Sequence, residues 1–173
     1  MSETPPTALR RTLESEAEIQ QALDELLLRA TRQIDIFEPR LGGYWDRPDR
    51  IDRLRRFCLA GDRNRVRIAL HDAESVVRST PRLRGLRESF GHVLTVRSTC
   101  DEARRADDPL VIVDRRHYLH RLHVDGSRSV FGIDDPEGAN LLSERYEQIW
   151  NASEDGPAGT TLEEYRAALG RPG

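Results

Sequence analysis

Five histidines, two cysteines and an all-arginine set of cations carry the chemistry open to this chain of 173 residues. It contains no lysine, so all 27 of its basic residues are arginine. That excludes a phosphate-loop lysine, a Schiff-base lysine and a lysine general base. Leu70-His71-Asp72 closes a segment that reads as a parallel strand. Open α/β sheets bind ligands at such strand ends. There His71 and Asp72 suit a base with its orienting partner, for hydrolysis or phosphoryl transfer, or an anion site. The plainer alternative has Asp72 capping the next turn and His71 packing beside it. Thr80-Pro81-Arg82 begins a helix, where free backbone N–H groups and a guanidinium suit a phosphate or carboxylate. The alternative there is an ordinary cap with a surface arginine. Arg116 and Arg121 reach the same cleft only if the fold brings them in.

His117, His120 and His123 are spaced three apart. On the strand expected there, His117 and His123 share a face but lie roughly 20 Å apart, and His120 points the other way. No metal site is expected, and no cofactor is implied. His92 follows a helix and fits a C-terminal cap. Tyr44 and Trp45, after Gly42-Gly43, offer either a stacking platform or a lid folded over the core. Cys58 falls on an apolar helix face and Cys100 in a polar loop.

The elements that must position these groups are legible in the periodicity. Ser15 and Glu18 form a capping box before apolar Ile19, Leu23, Leu26 and Leu27, predicting a helix over 15–31. Gln33–Phe37 alternates as a strand. Asp49 is placed to cap a second helix and Gly61 to end it in a left-handed conformation. Arg65–Leu70 is the next strand, Thr80-Pro81 opens a third helix, and Val93–Val96 follows as a strand. This order predicts a parallel sheet in the first half. Leu110–Val113, His117–Val124 and Val130–Ile133, with a turn at Asp125-Gly126, predict antiparallel hairpins after it. A helix from Pro136 to Ala152 closes the domain. The fold class is therefore α/β, a mixed sheet with helices on both faces. Residues 1–14 are expected to be a flexible arm, 15–152 the domain, and 153–173 a linker and short helix capped by Thr161.

Composition agrees with one domain: 37% hydrophobic and 33% charged residues, and a net charge of −3 that disfavours nucleic acid as a partner. Arginine clusters at Arg53, Arg55, Arg56, at Arg63, Arg65, Arg67 and at Arg82, Arg84, Arg87 fit surface pairing with Asp and Glu. No apolar run reaches membrane-spanning length, so no membrane is expected. The N-terminus lacks signal-peptide character, and two cysteines make no disulfide framework, so the expected location is the cytoplasm.

Ile34-Asp35-Ile36-Phe37, Leu70-His71-Asp72, Pro81-Arg82-Leu83 and Val111-Ile112-Val113-Asp114, in this order, resemble a phospholipase-D-like unit over residues 15–152. More narrowly, the chain resembles a bacterial branch whose units occur alone or attached to acetyltransferase-like domains. The resemblance implies paired units in which His-x-Lys, four residues, then Asp cleaves phosphodiesters through a covalent histidine intermediate. With Asp114 at the aspartate position, Asp107 stands at the histidine and Pro109 at the lysine. The activity is not carried over. The leading expectation is a catalytically silent unit binding an anionic, phosphate-containing ligand or a partner, through Arg82, His71, Arg121 and His117. Three other readings stand beside it: a hydrolase or phosphoryl-transfer enzyme using His71 and Asp72, a domain docking on an acetyltransferase-like partner, and a homodimer. The docking reading expects an apolar patch around Tyr44, Trp45 and the terminal segment. The enzyme reading requires His71, Arg82 and either His92 or His117 to converge.

Overall fold

The computed structural model describes residues 7–155. Strands β2 (Gln33–Glu38), β3 (Arg65–Leu70) and β4 (Leu94–Thr99) run parallel, as expected. Parallel neighbours need crossover connections. Helix α2 (Pro48–Leu59) supplies the first, and α3 (Glu74–Ser79) with α4 (Pro81–Ser89) the second. Strands β5 (Leu110–Val113), β6 (His117–Arg121) and β7 (Ser129–Ile133) add the antiparallel half, β5 lying against β2.

Two strands extend the sheet beyond expectation. Residues 9–13, expected in a loose arm, are β1 (Leu9–Leu13), antiparallel to β7. Leu13 enters the core and Arg10 reaches Asp135 at 2.7 Å. Residues 153–155, expected in a linker, are β8 (Ser153–Asp155) on the outer side of β4. The order across the sheet is β1-β7-β6-β5-β2-β3-β4-β8. The helix expected after Thr161 lies outside the described residues.

Alternation along each strand builds two cores. Ile34, Ile36, Ile68, Val111 and Leu119 pack under α1 (Glu16–Arg29), α2 and α4. Phe37, Ala69, Ile112 and Tyr118 pack under α5 (Pro136–Asn151), through Ala139, Tyr146, Ile149 and Trp150. Ser15 and Glu18 form the capping box of α1. Two local expectations differ. Asp49 lies inside α2, paired with Arg47, because Pro48 already starts the helix. Gly61 is not left-handed, since no described glycine has positive φ. Instead Asn64 Nδ2 donates to the Phe57 carbonyl at 2.9 Å and satisfies the end of α2.

The sheet thus has two ends. Glu38, Leu70 and Thr99 lie at the C-terminal end of the parallel strands, beside Leu110 and His120. Gln33, Arg65 and Leu94 lie at the other end, beside Val113 and His117. No helix among the described residues is long and apolar enough to cross a membrane.

Candidate functional site

The C-terminal end holds a small cleft, partly open to solvent and with enclosed room for about one water, lined by Ile19 and Leu23 of α1, Glu38, Tyr44, Pro109 to Val111, Leu119 and Arg121. Glu38 is the last residue of β2 and points to the α1 face, where it is buried. Its Oε1 accepts the Tyr44 hydroxyl at 2.6 Å and the Trp45 indole N–H at 3.0 Å. Burial in apolar surroundings pushes the Glu38 carboxyl up to about 7, against the opposing pull of those two donors and Arg121. Burial and the neighbouring carboxylate also raise the Tyr44 phenol.

The loop carrying both aromatics is fastened from below. Arg50 of α2, its side chain wholly buried, donates to the Tyr44 carbonyl at 2.8 Å, to Gln20 and to Asp24. Its guanidinium also lies over the Trp45 ring, 5.9 Å from the centroid. Trp45 is 1% exposed, so it serves the core and Glu38 rather than forming a stacking platform. Among the described residues Trp45 therefore adds nothing to an apolar docking patch, and the terminal segment expected to share it lies outside them.

The candidate ligand contacts do not meet in this cleft. Only Arg121 lines it. The Arg121 Nε donates to the Gly126 carbonyl at 2.5 Å, and Nη2 pairs with Glu16 at 2.7 Å. His71 lies at the same end of the sheet but on the α5 face, against Phe37. Its Nε2 donates to the Ala106 carbonyl at 2.8 Å, and Nδ1 bonds the Thr99 hydroxyl at 2.6 Å, so both ring nitrogens are used. Asp72 does not orient that ring. It accepts from the Glu74 N–H at 3.0 Å and pairs with Arg78, the capping alternative.

His117 is at the opposite end of the sheet, a strand length or roughly 16 Å away. Its Nδ1 accepts the Asp134 N–H at 3.0 Å, and burial holds its pKa low, which leaves it neutral. His92, just before β4, shares that far end. The convergence required by a His71-based enzyme is therefore absent.

Arg82 is an anion contact, and the anion is internal. The buried carboxylate of Asp46 accepts the Leu83 N–H at 2.8 Å and sits 3.6 Å from Arg82. The free start of α4 and its guanidinium are thus occupied by the chain itself. Asp46→Ala is expected to cost about 1–2 kcal/mol in urea unfolding, as the loss of a buried cap does. A loss below about 0.5 kcal/mol would remove this assignment.

Sequence reasoning missed a second group at the same sheet end. Asp108 accepts from His120 Nε2 at 2.7 Å and from Arg145 of α5 through both Nε and Nη2. Burial opposes its charge, but these donors outweigh it and hold the carboxyl at about 2. The only clue in the sequence was the strand register, which sets His120 opposite Leu110, two residues past Asp108. His123 pairs separately with Asp107 at 3.0 Å. The three histidines consequently have three different carboxylate or backbone partners. Cys58 is buried and its thiol is pushed up to about 11 by desolvation, which makes it inert.

Residues 15–162 match the model of a family described as a domain of unknown function (DUF7931). No curated protein matches the chain in sequence. Among solved structures, the phospholipase D family member Nuc from Salmonella typhimurium aligns with a TM-score of 0.61 and 16% identity, over 88% of this chain and all of that one. Phosphatidylserine synthase from Haemophilus influenzae aligns at 0.63 and 17%, over 95% of this chain. TrmBL2, an archaeal chromatin protein that binds DNA, aligns at 0.61 and 16%, over 90% of this chain. The chain spans 44% of the synthase and 56% of TrmBL2. At these identities the likeness shows the fold, a phospholipase-D-like α/β sheet.

Proposed function

This chain belongs to the DUF7931 family, and from that premise we propose that it is a non-catalytic domain of phospholipase-D-like fold that acts by binding. Its ligand enters the cleft between Glu38 and Arg121. One observation carries the reading. At the C-terminal end of the sheet, the two positions that the family resemblance assigns to nucleophile and phosphate cation hold Asp107 and Pro109. Asp107 is tied to His123 and Pro109 is a wall of the cleft. A carboxylate there repels a phosphodiester, and a proline has nothing to donate to it.

Arg121 is the cation that remains for an anionic ligand. Its pairing with Glu16 is a weak obstacle, because the Glu16 side chain is half exposed. Exposed ion pairs contribute only about 0–1 kcal/mol, so a ligand anion displaces one at little cost. A protein partner or a second copy would approach the same end of the sheet, and nucleic acid is disfavoured by the net charge of −3.

The purified protein is expected to show no turnover of an activated phosphodiester such as bis(4-nitrophenyl) phosphate, with or without divalent metal. Turnover abolished by His71→Ala would overturn the proposal in favour of an enzyme working through His71 and Asp72.

A further inference from the structure

Glu38 leaves half of its carboxylate unused. Both donors reach Oε1, and Oε2 accepts no hydrogen bond among the described residues although the residue is only 4% exposed. Oε2 is not sealed in the core, since Glu38 borders the cleft, and a donor for this oxygen comes from the cleft side.

The charges around it decide what the cleft accepts. Arg121 from β6 and Glu16 from α1 are the charged groups that act on Glu38, and their effects oppose each other. Tyr44, in the 3-10 turn after β2, is the remaining titratable neighbour and stays a neutral donor. The other walls, Ile19, Leu23, Pro109, Leu110, Val111 and Leu119, carry no charge. An ionised Glu38 is thus one uncompensated negative charge against apolar walls. A small monocation with its own N–H donors answers it, and the narrow inner part of the cleft admits a group about the size of a water. A primary ammonium has that size and chemistry. Arg121, on the opposite wall, keeps Nη1 free of hydrogen bonds among the described residues and answers an anionic group.

We propose that the cleft is a receptor for a small zwitterion, whose primary ammonium donates to Glu38 Oε2 while its anionic group lies on Arg121. This rests on the reading of the cleft as the ligand site, and it adds the ammonium to the anion. The enclosed part of the cleft holds about one water-sized group, which the ammonium fills, and the rest of the ligand lies in the open mouth. A proton and the ammonium compete for the same oxygen, so a carboxylate zwitterion binds more tightly as pH rises through the titration of Glu38, and a plain carboxylate does not.

Calorimetry on the full chain tests this with four probes at pH 6 and pH 8. β-Alanine and phosphoethanolamine carry the ammonium, on a carboxylate and a phosphate respectively. Propionate and inorganic phosphate are their ammonium-free counterparts. Each zwitterion is expected to bind at least about tenfold more tightly than its counterpart at pH 8, and for β-alanine against propionate, whose carboxylates stay ionised throughout, the gap is smaller at pH 6. Glu38→Gln is expected to abolish the gap while leaving the anions bound, and Arg121→Gln to weaken all four probes. Gln keeps an oxygen for Tyr44 and Trp45, and an unchanged Trp45 indole N–H resonance would certify that the variant is folded. Counterparts that bind as well as the zwitterions, or a gap that survives Glu38→Gln, overturn the zwitterion and leave the anion site standing. Failure of all four probes to bind overturns both.

Discussion

Replacing Asp114 with alanine is expected to lower the unfolding free energy by about 2–3 kcal/mol, read from urea denaturation of the full chain. Asp114 follows β5 with a positive φ of 54°, at the sheet end away from the cleft. Its Oδ1 accepts the backbone N–H groups of Arg32 and Gln33, both at 2.8 Å. Its Oδ2 accepts the N–H and hydroxyl of Thr31, both at 2.9 Å. Four donors on one carboxylate fix the start of β2 against the end of β5. Hydrogen bonds to a charged acceptor contribute about 1.5–3 kcal/mol each when buried, but three of these four are exposed, which brings the sum down. Asp114→Asn keeps one carbonyl oxygen and should lose about half as much. A change under about 0.5 kcal/mol for alanine would mean that solvent serves these donors equally well. The result bears on the motif too. Residues 107 and 109 lie at one end of β5 and residue 114 at the other, so an aspartate with this structural task has a reason to be present without the catalytic pair.

The parallel half of the fold was legible because its signals are local. The capping box at Ser15, the alternation of Gln33–Phe37 and Pro81 at a helix start each depend on a few neighbouring residues. β1 and β8 were not legible. Leu9–Leu13 has one buried residue in five, so its pattern resembles that of a loose arm, and only the edge of β7 makes it a strand. Ser153–Asp155 is three polar residues beside β4. The site was harder for the same reason. Glu38 read as the end of a strand, because nothing near it reveals that α1 would cover it or that Tyr44 would fold back onto it. The start of α4 read as either an anion site or an ordinary cap with a surface arginine. That Asp46 fills it is set by the packing of the 3-10 turn Gly43–Asp46 against α4, which spacing alone does not reveal. His71 stood first and His117 next as histidine candidates. The register put them at opposite ends of the sheet, each already bonded.

Glu38→Gln is expected to stabilise the protein at pH 8, by on the order of 3 kcal/mol at most, and to change little at pH 4. The carboxyl sits at about 7 in the folded chain against an ordinary 4.5. Each unit of difference corresponds to about 1.4 kcal/mol. A pKa raised by folding contributes stability that is fully present below the unfolded value and is lost as pH rises through the folded one. The wild type should therefore weaken between about pH 4.5 and 7 relative to the variant, and the difference should level off above that. Parallel urea titrations of both proteins at pH 4, 6 and 8 measure it. An equal difference at all three pH values would mean that Glu38 does not titrate with folding. The direction has a functional meaning. At neutral pH and above, an ionised Glu38 destabilises the domain through a charge that two hydrogen bonds on one oxygen do not offset, and a glutamine would fit the same space without it. A ligand that donates to the free oxygen removes that penalty only when it is bound. β-Alanine should then raise the stability of the wild type at pH 8 and leave that of Glu38→Gln where propionate leaves it.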